Sequence, residues 1–403
     1  DSTAANNRLL AGFNGVIYNA VSGAADVSGL SITARMRFAT FLNATLMLNG
    51  VTADARSYTA AGSWVSTAGV LNVSGVPASA QFPIEFKDRM YCAVTDRLYY
   101  TNTPTGSQVS WSASGSGSLQ VEQEDGGGML QALNKVPGYL MLYKQRSLKR
   151  WNFDSTFPED LINIGTQSNE SVVRARGKNY FFYGPKGFYE TSGSYPKLIS
   201  RPIQRIVEAI ASAFYANVNG WSDNEHIYWS VGDITVDFDR GFTETYTNVV
   251  VRFTINTQQW APLQYAHEFR AMHQYISGND TLIVGGDDDG QVLQINTGNT
   301  DYNSQAIKYI LQSPEFDFDS RQFKKTIAER IFVHSDRTVG AEIQARLDYG
   351  EWSSFGSLKD IVTEVQIKPM TAKVFEFRIV DSITGEQVKL RGMDFPNVDV
   401  HEN

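Results

Sequence analysis

The sequence predicts an all-β protein: a multi-bladed β-propeller of about seven hairpin units, followed by a C-terminal antiparallel β-sandwich. Three observations carry this. Apolar strand, tight turn and aromatic-rich strand recur in the same order along residues 1–297. The inner turns, near Asn14, Asn43, Lys87, Pro137, Lys178, Asn224 and Asn279, lie mostly about 40 to 55 residues apart, the length of a four-stranded blade. Beyond residue 304 the repeat gives way to longer strands of strict apolar/polar alternation. The expected domains are therefore 1–304 and 305–403.

Unit one is Arg8 to Gly12, then Val16-Ile17-Tyr18, with Asn14-Gly15 as a two-residue hairpin signal. Unit two runs from Arg37 to Leu42, from Thr45 to Leu48, and on to Trp64. Unit three spans Pro83 to Tyr100 and is expected to end at Trp111. Unit four is the clearest: Met129 to Leu133, Tyr139 to Tyr143, then Ser147 to Phe153, ending at Trp151. Unit five covers Ser171 to Thr191, with turns at Gly177-Lys178-Asn179 and Gly184 to Gly187. Unit six places Glu225 to Ser230 and Asn248 to Phe253 on either side of a long loop. Unit seven is Phe269 to Ile276, Thr281 to Val284 and Gln291 to Ile295. Such sheets cannot bury both faces alone, and radial stacking buries them against one another. One helix interrupts the pattern. Ile203, Ile206, Val207 and Ile210 have helical spacing after Pro202, so a short helical insertion is expected near 203–211.

In the C-terminal part, Thr326 to Val333, Ala341 to Tyr349, Val365 to Ile367, Lys373 to Val380 and Gln387 to Met393 each read as one strand with a polar face. That is the pattern of antiparallel sheets packed as a sandwich.

Composition narrows the function classes. The chain has 403 residues, is 42% hydrophobic, and carries a net charge of −8, which opposes a basic grip on nucleic acid. Only Asp1, Arg8, Asp26, Arg35, Arg37, Asp54 and Arg56 are charged in the first eighty residues. No run approaches the length of a membrane helix, so no membrane anchor is expected, and no charged segment followed by an apolar stretch marks a leader. The single cysteine, Cys92, excludes an intrachain disulfide and reads as a small buried hydrophobe.

Catalytic signatures are missing. There is no G-x-S-x-G elbow, no phosphate loop, no G-x-G-x-x-G opening a helix and no H-E-x-x-H. His267 and His273 read as ordinary residues rather than a metal pair. Asp287, Asp288 and Asp289, in the run Gly285 to Gly290, are the one candidate calcium loop, set against a plain tight turn. Glu122, Glu124 and Asp125, or Asp233, Asp237 and Asp239, are the carboxylates a sugar-cleaving propeller would use; each group is expected in or beside a loop. The residues thus assign no catalytic site, no cofactor and no metal, and the chain is expected not to be an enzyme.

Several stretches resemble β-propeller virion proteins of tailed bacteriophages. They are Asp96 to Thr101 with Gln108 to Trp111, Gly138 to Trp151, Tyr180 to Tyr189, Leu198 to Ile203, Trp260, and Gly285 to Gly298. The resemblance covers roughly residues 85–300 and lies in the order of the pieces. It implies a structural protein of the virion's neck or tail: a ring, hub or nozzle at the head–tail junction or tail tip. Its implied partners are itself, as a symmetric homo-oligomer for which six-fold order is one candidate, and other neck, tail, portal or adaptor proteins. Genomic DNA would pass through the assembled channel on ejection without sequence-specific binding. Localisation would be the virion, after assembly in the bacterial host cytoplasm. The alternative is a carbohydrate-binding or carbohydrate-cleaving propeller that recognises a receptor.

Overall fold

A computed structural model of the chain describes residues 9–295 and 309–401, apart from 43, 59–63, 66–70, 74, 105–107, 122–125, 156, 238–242, 278–279, 313–323, 328–329, 336–339, 349, 360–361, 367–369, 382–389 and 395–397. Almost every described element is a strand. Blade one holds β1 (Leu10–Phe13), β2 (Val16–Asn19) and β3 (Ala24–Val27). Blade two holds β4 (Arg37–Phe41), β5 (Ala44–Leu48), β6 (Arg56–Tyr58) and β7 (Trp64–Val65). A short strand, β8 (Leu71–Asn72), follows. Blade three has β9 (Gln81–Phe86), β10 (Arg89–Val94), β11 (Arg97–Tyr100) and, after β12 (Val109–Ser110) pairs in parallel with β8, the outer strand β13 (Gly117–Gln120). Blade four is β14 (Leu130–Val136), β15 (Tyr139–Lys144), β16 (Leu148–Trp151) and β17 (Glu159–Ile162). Blade five is β18 (Val173–Ala175), β19 (Lys178–Tyr183), β20 (Gly187–Thr191) and β21 (Lys197–Leu198). Blade six is β22 (Asn219–Ser222), β23 (His226–Asp237), β24 (Thr243–Thr254) and β25 (Gln259–Gln264). Blade seven is β26 (Phe269–Ser277), β27 (Asp280–Asp287) and β28 (Val292–Ile295).

Each blade pairs antiparallel with its own neighbours in sequence. The leading strands β4, β9, β14, β18, β22 and β26 pack each against the next, which places them on the ring axis. The buried apolar side chains sort accordingly into clusters between successive blades. Phe188, Trp229 and Phe253 join blades five and six, for example, and Leu98, Leu140 and Trp151 join three and four.

Unit one differs from its reading. Leu30 donates its N–H to Gly15 O at 2.9 Å, and Ser31 donates to Asp54 Oδ2 at 2.7 Å. Asp54 lies in the turn between the second and third strands of blade two. The Asn14-Gly15 turn therefore sits at the end of the ring where leading strands begin, opposite the other inner turns. Hence β1 fills the second position of its blade. The local signal was correct, since Asn14 and Gly15 take φ of 46° and 72°. A turn's chemistry does not reveal which hairpin of a blade it closes.

The outer strands also went unread. Trp111 and Trp151 do not end their blades; β13 and β17 lie beyond them. Sequences such as GSLQ and EDLI are short, polar and half exposed, and carry little periodic signal. The expected long loop of unit six is the far half of a hairpin, paired from His226↔Thr254 to Asp237↔Thr243 with irregularities at Gly232. Asp233 and Asp237 are thus strand residues. The expected insertion is a helix α1 (Gln204–Ala209) between 3-10 turns at Arg201–Ile203 and Ser212–Asn217, with Ile210 bridged to Ile234 of the hairpin.

In the C-terminal sandwich, β29 (Tyr309–Gln312) begins the first sheet. The expected strand Thr326 to Val333 is two, β30 (Lys324–Ile327) and β31 (Arg330–Ser335). They are followed by β32 (Glu342–Leu347), β33 (Ser353–Ser357), β34 (Val362–Gln366), β35 (Met370–Ala372), β36 (Phe375–Asp381), β37 (Leu390–Asp394) and β38 (Val398–His401). One layer has the order β29-β36-β32-β33. The other is broken into β34-β31-β37 and β35-β30-β38, the same three chain segments in the same order. Val333, Ile343, Ala345, Phe375, Phe377 and Ile379 fill the space between the layers. No ladder joins β29–β38 to the blades among the described residues. The expected junction at residue 304 lies outside them. No described helix is long and apolar enough to cross a membrane.

Candidate functional site

At the end of the ring where the leading strands begin, three half-buried charged side chains meet. Arg35 and Arg37 stand at the start of β4, and Glu170 sits in the 3-10 turn Asn169–Ser171 that leads into β18. Glu170 Oε2 accepts from Arg35 Nη1 at 3.0 Å and Oε1 from Arg37 Nε at 2.8 Å. Blades two and five stand on opposite sides of the axis, so this contact crosses the mouth of the channel. Arg37 Nη1 also donates to Gln81 Oε1 at 3.3 Å, from the first residue of β9, and its guanidinium lies over the Phe82 ring. Ser168 Oγ donates to Val218 O at 2.7 Å, beside β22, and reaches Glu170 Oε2 at 3.3 Å. Burial alone would raise the Glu170 carboxyl, but Arg37, Arg35 and the hydrogen bonds it accepts outweigh this and hold it below the ordinary range. Chemically the arrangement is a closure. The charges that line the mouth satisfy one another.

A second locus lies at the same end, where blade six meets blade seven. Asp287 Oδ1 accepts from the N–H of Asp289 at 3.1 Å and of Gln291 at 2.7 Å, while Oδ2 faces His267 Nδ1 at 3.2 Å. Asp233 Oδ1 accepts from Asn248 N at 2.8 Å, and Asn248 Nδ2 donates to Ala266 O. Between them, burial raises the Glu268 carboxyl. Arg270 at 2.8 Å opposes the shift, and Asp288 and Asp233 add to it.

The third locus is the outward face of the sandwich's first sheet. The alternation of β36 predicts a solvated polar face, yet Glu376 and Arg378 are buried. Glu376 accepts from Arg346 Nε at 2.5 Å and Nη2 at 2.8 Å. Arg378 donates to Gln344 Oε1 at 2.6 Å and to Glu244 Oε1 at 2.9 Å, from the far half of the blade-six hairpin. Both guanidiniums lie over Trp352, at 4.9 and 4.2 Å. Burial pushes the Tyr246 hydroxyl well up, and its bond to Glu244 adds to this.

The residues singled out from sequence fall into three groups. Asp233, Asp287 and Asp288, which belong to two separate sequence motifs, are brought to one locus. In the candidate calcium loop Asp287 points inward and caps its own turn, while Asp288 and Asp289 are exposed. Among the described residues no three His, Cys, Asp or Glu side chains are arranged to hold a metal. Glu122, Glu124, Asp125 and Asp239 lie outside the described residues. Asp237 is exposed at the hairpin's far end. Cys92 is fully buried, and burial pushes its thiol well up. Sequence reasoning missed Arg35, Arg37 and Glu170, because a pairing across 133 and 135 residues leaves no local trace. The one available hint was the scarcity of charge in the first eighty residues, which makes two arginines only two positions apart stand out.

No family model matches the chain, and no curated protein matches it. Similarity to solved structures is slight. The extracellular domain of a putative one-component system from B. thetaiotaomicron has a TM-score of 0.38 at 13% identity, covering 74% of this chain and 44% of that one. The chain thus spans under half the length of that protein. Sqt1 of Saccharomyces cerevisiae gives 0.42 at 11%, covering 73% and 83%. An exo-beta-1,3-galactanase from Phanerochaete chrysosporium gives 0.31 at 9%, covering 98% and 100%. Likeness at this level carries no functional argument.

Proposed function

We propose that the chain is a structural protein of a tailed-bacteriophage virion, part of the neck or tail, acting through assembly rather than through a reaction of its own. The observation that carries the reading is the closed mouth. Arg35, Arg37, Gln81 and Glu170 engage each other where a ligand-binding propeller would present free groups. The buried polar face of the sandwich supports it further, because Glu244 and Arg378 tie sandwich to blade six and make one stiff building block. With the mouth bolted, DNA would pass between copies arranged as a ring, not along a propeller axis. The net charge of −8 favours a wall to which a polyanion does not adhere. Electron microscopy of the purified protein tests this. Closed rings, or copurification with portal or tail proteins, are expected; a monomer with affinity for neither removes the proposal.

A second reading, carbohydrate recognition, draws on one observation. Phe157 and Tyr195 are 72% and 73% exposed, on the outer loops of adjacent blades four and five at the opposite end of the ring. Arg150 links these loops, bonding Glu159 and Gly193 O. Exposed rings of this kind can stack on sugars. A glycan array tests it: binding lost in Tyr195→Ala and Phe157→Ala would support it, and no hits would remove it.

A further inference from the structure

The ring closes at a seam between blades seven and one, and the mouth network ties blade two across the axis to the linker before blade five. Buried apolar clusters join blades one to two, two to three, and so on to six and seven. Among the described residues no such cluster, and no ladder, joins blade seven to blade one. There the Phe13 ring lies against Gly290, so close that a Cβ on Gly290 would stand 2.6 Å from it. Blade one is instead fastened to blade two. Ser31 N bonds Asp54 Oδ2, Trp64 Nε1 reaches Asp26 Oδ2 at 3.5 Å, and Ile17, Leu30 and Met47 share a cluster. Among the described residues, blades one and two are held to the rest by the blade-two and blade-three cluster on one flank. On the other flank, the seam, the described contact is that of Phe13 with Gly290.

From this geometry we infer that the Arg35–Glu170–Arg37 bridge is the bolt of the ring: it keeps blades one and two from swinging outward and so holds the seam shut. The groups facing the carboxylate are Arg35 and Arg37 from the start of blade two and Ser168 from its own linker, with Gln81 of blade three holding Arg37. A pair only 17–30% exposed is poorly screened by salt, so it can act as a mechanical tie at physiological ionic strength. The inference is independent of whether the virion reading holds.

Hydrogen exchange of the full chain, resolved by mass spectrometry, tests it with Glu170→Gln. Amides of β1, β2, β27 and β28 should exchange about tenfold faster, while those of β15 and β19 keep their rates, because opening is local rather than global. Glu159→Gln, which removes an exposed pair with Arg150, should change neither set. If Glu170→Gln does not fold, Arg35→Gln keeps the Arg37 contact and should show the same pattern at smaller amplitude. Uniform acceleration in every blade, or none at the seam in either variant, overturns the inference.

Discussion

Glu244→Gln should loosen the sandwich from the propeller while leaving both folded. Glu244 Oε1 lies 2.9 Å from Arg378 Nη1, and the two side chains are 20% and 9% exposed. Removing one partner of a fully buried pair costs about 3–5 kcal/mol. Here the glutamine oxygen still accepts from Arg378, the guanidinium keeps its contacts with Trp352 and Gln344, and Glu244 is partly wet. Those terms reduce the cost to about 2 kcal/mol, or roughly thirty-fold in the docking equilibrium. A unit the size of the sandwich shifts its midpoint by about 4–8 °C per kcal/mol. Differential scanning calorimetry should therefore show a sandwich transition lowered by about 10 °C, with the propeller transition nearly in place. Glu244→Gln combined with Arg378→Gln should recover part of the loss, because no buried cation is then left without its counter-charge. A shift of the sandwich below about 2 °C, or equal shifts of both transitions, would refute the reasoning.

Four further outcomes are expected. Because the folded-state carboxyl of Glu170 is depressed, its contribution to stability is present above the unfolded value and fades as pH falls through the folded one. Urea midpoints of wild type and Glu170→Gln should therefore differ at pH 7 and converge as pH falls through the depressed folded value. Glu268 has the opposite sign: its raised carboxyl favours folding below the unfolded value and loses that advantage as pH rises. Glu268→Gln should raise the urea midpoint at pH 7 and leave it unchanged at pH 4. Trp229→Phe removes the 2.9 Å bond from Nε1 to Ser171 O within a fully buried cluster, and should cost about 2–3 kcal/mol by urea titration. Gly165→Ala would set a Cβ 2.0 Å from Lys144 O, against rigid backbone, and should cost more than about 3 kcal/mol or prevent folding, as judged by soluble yield.

The fold was legible where periodicity is strong and local. Tyr139 to Tyr143 and Tyr180 to Tyr183 announce buried central strands, and they are β15 and β19. The apolar side of the β32 and β36 alternation, Ile343, Phe375, Phe377 and Ile379, lies in the sandwich core. What local pattern could not convey was position. Asn14-Gly15 gives a hairpin without saying that β1 takes the second place in its blade. The alternation of β36 marks Glu376 and Arg378 as one face, but burial of that face depends on a hairpin more than a hundred residues away. The candidate site was less legible still. Asp233 and Asp287 were noticed for their chemistry, and each proves to hold backbone amides. The mouth network joins residues whose types are ordinary and whose meaning comes only from closure of the ring.

That network also sets a schedule. Glu170 lies 133 residues after Arg37, so at synthesis rates of about 5–20 residues per second the arginines wait about 7–27 s for it. During that interval the first blades are folded on one flank only, with two cations presented at an unfinished edge. Another nascent chain that already carries its own Glu170 could answer them in trans. The same contact that fastens a finished ring thus makes the young chain prone to exchange with its neighbours, and high local concentration during synthesis should favour swapped, intertwined copies over separate ones.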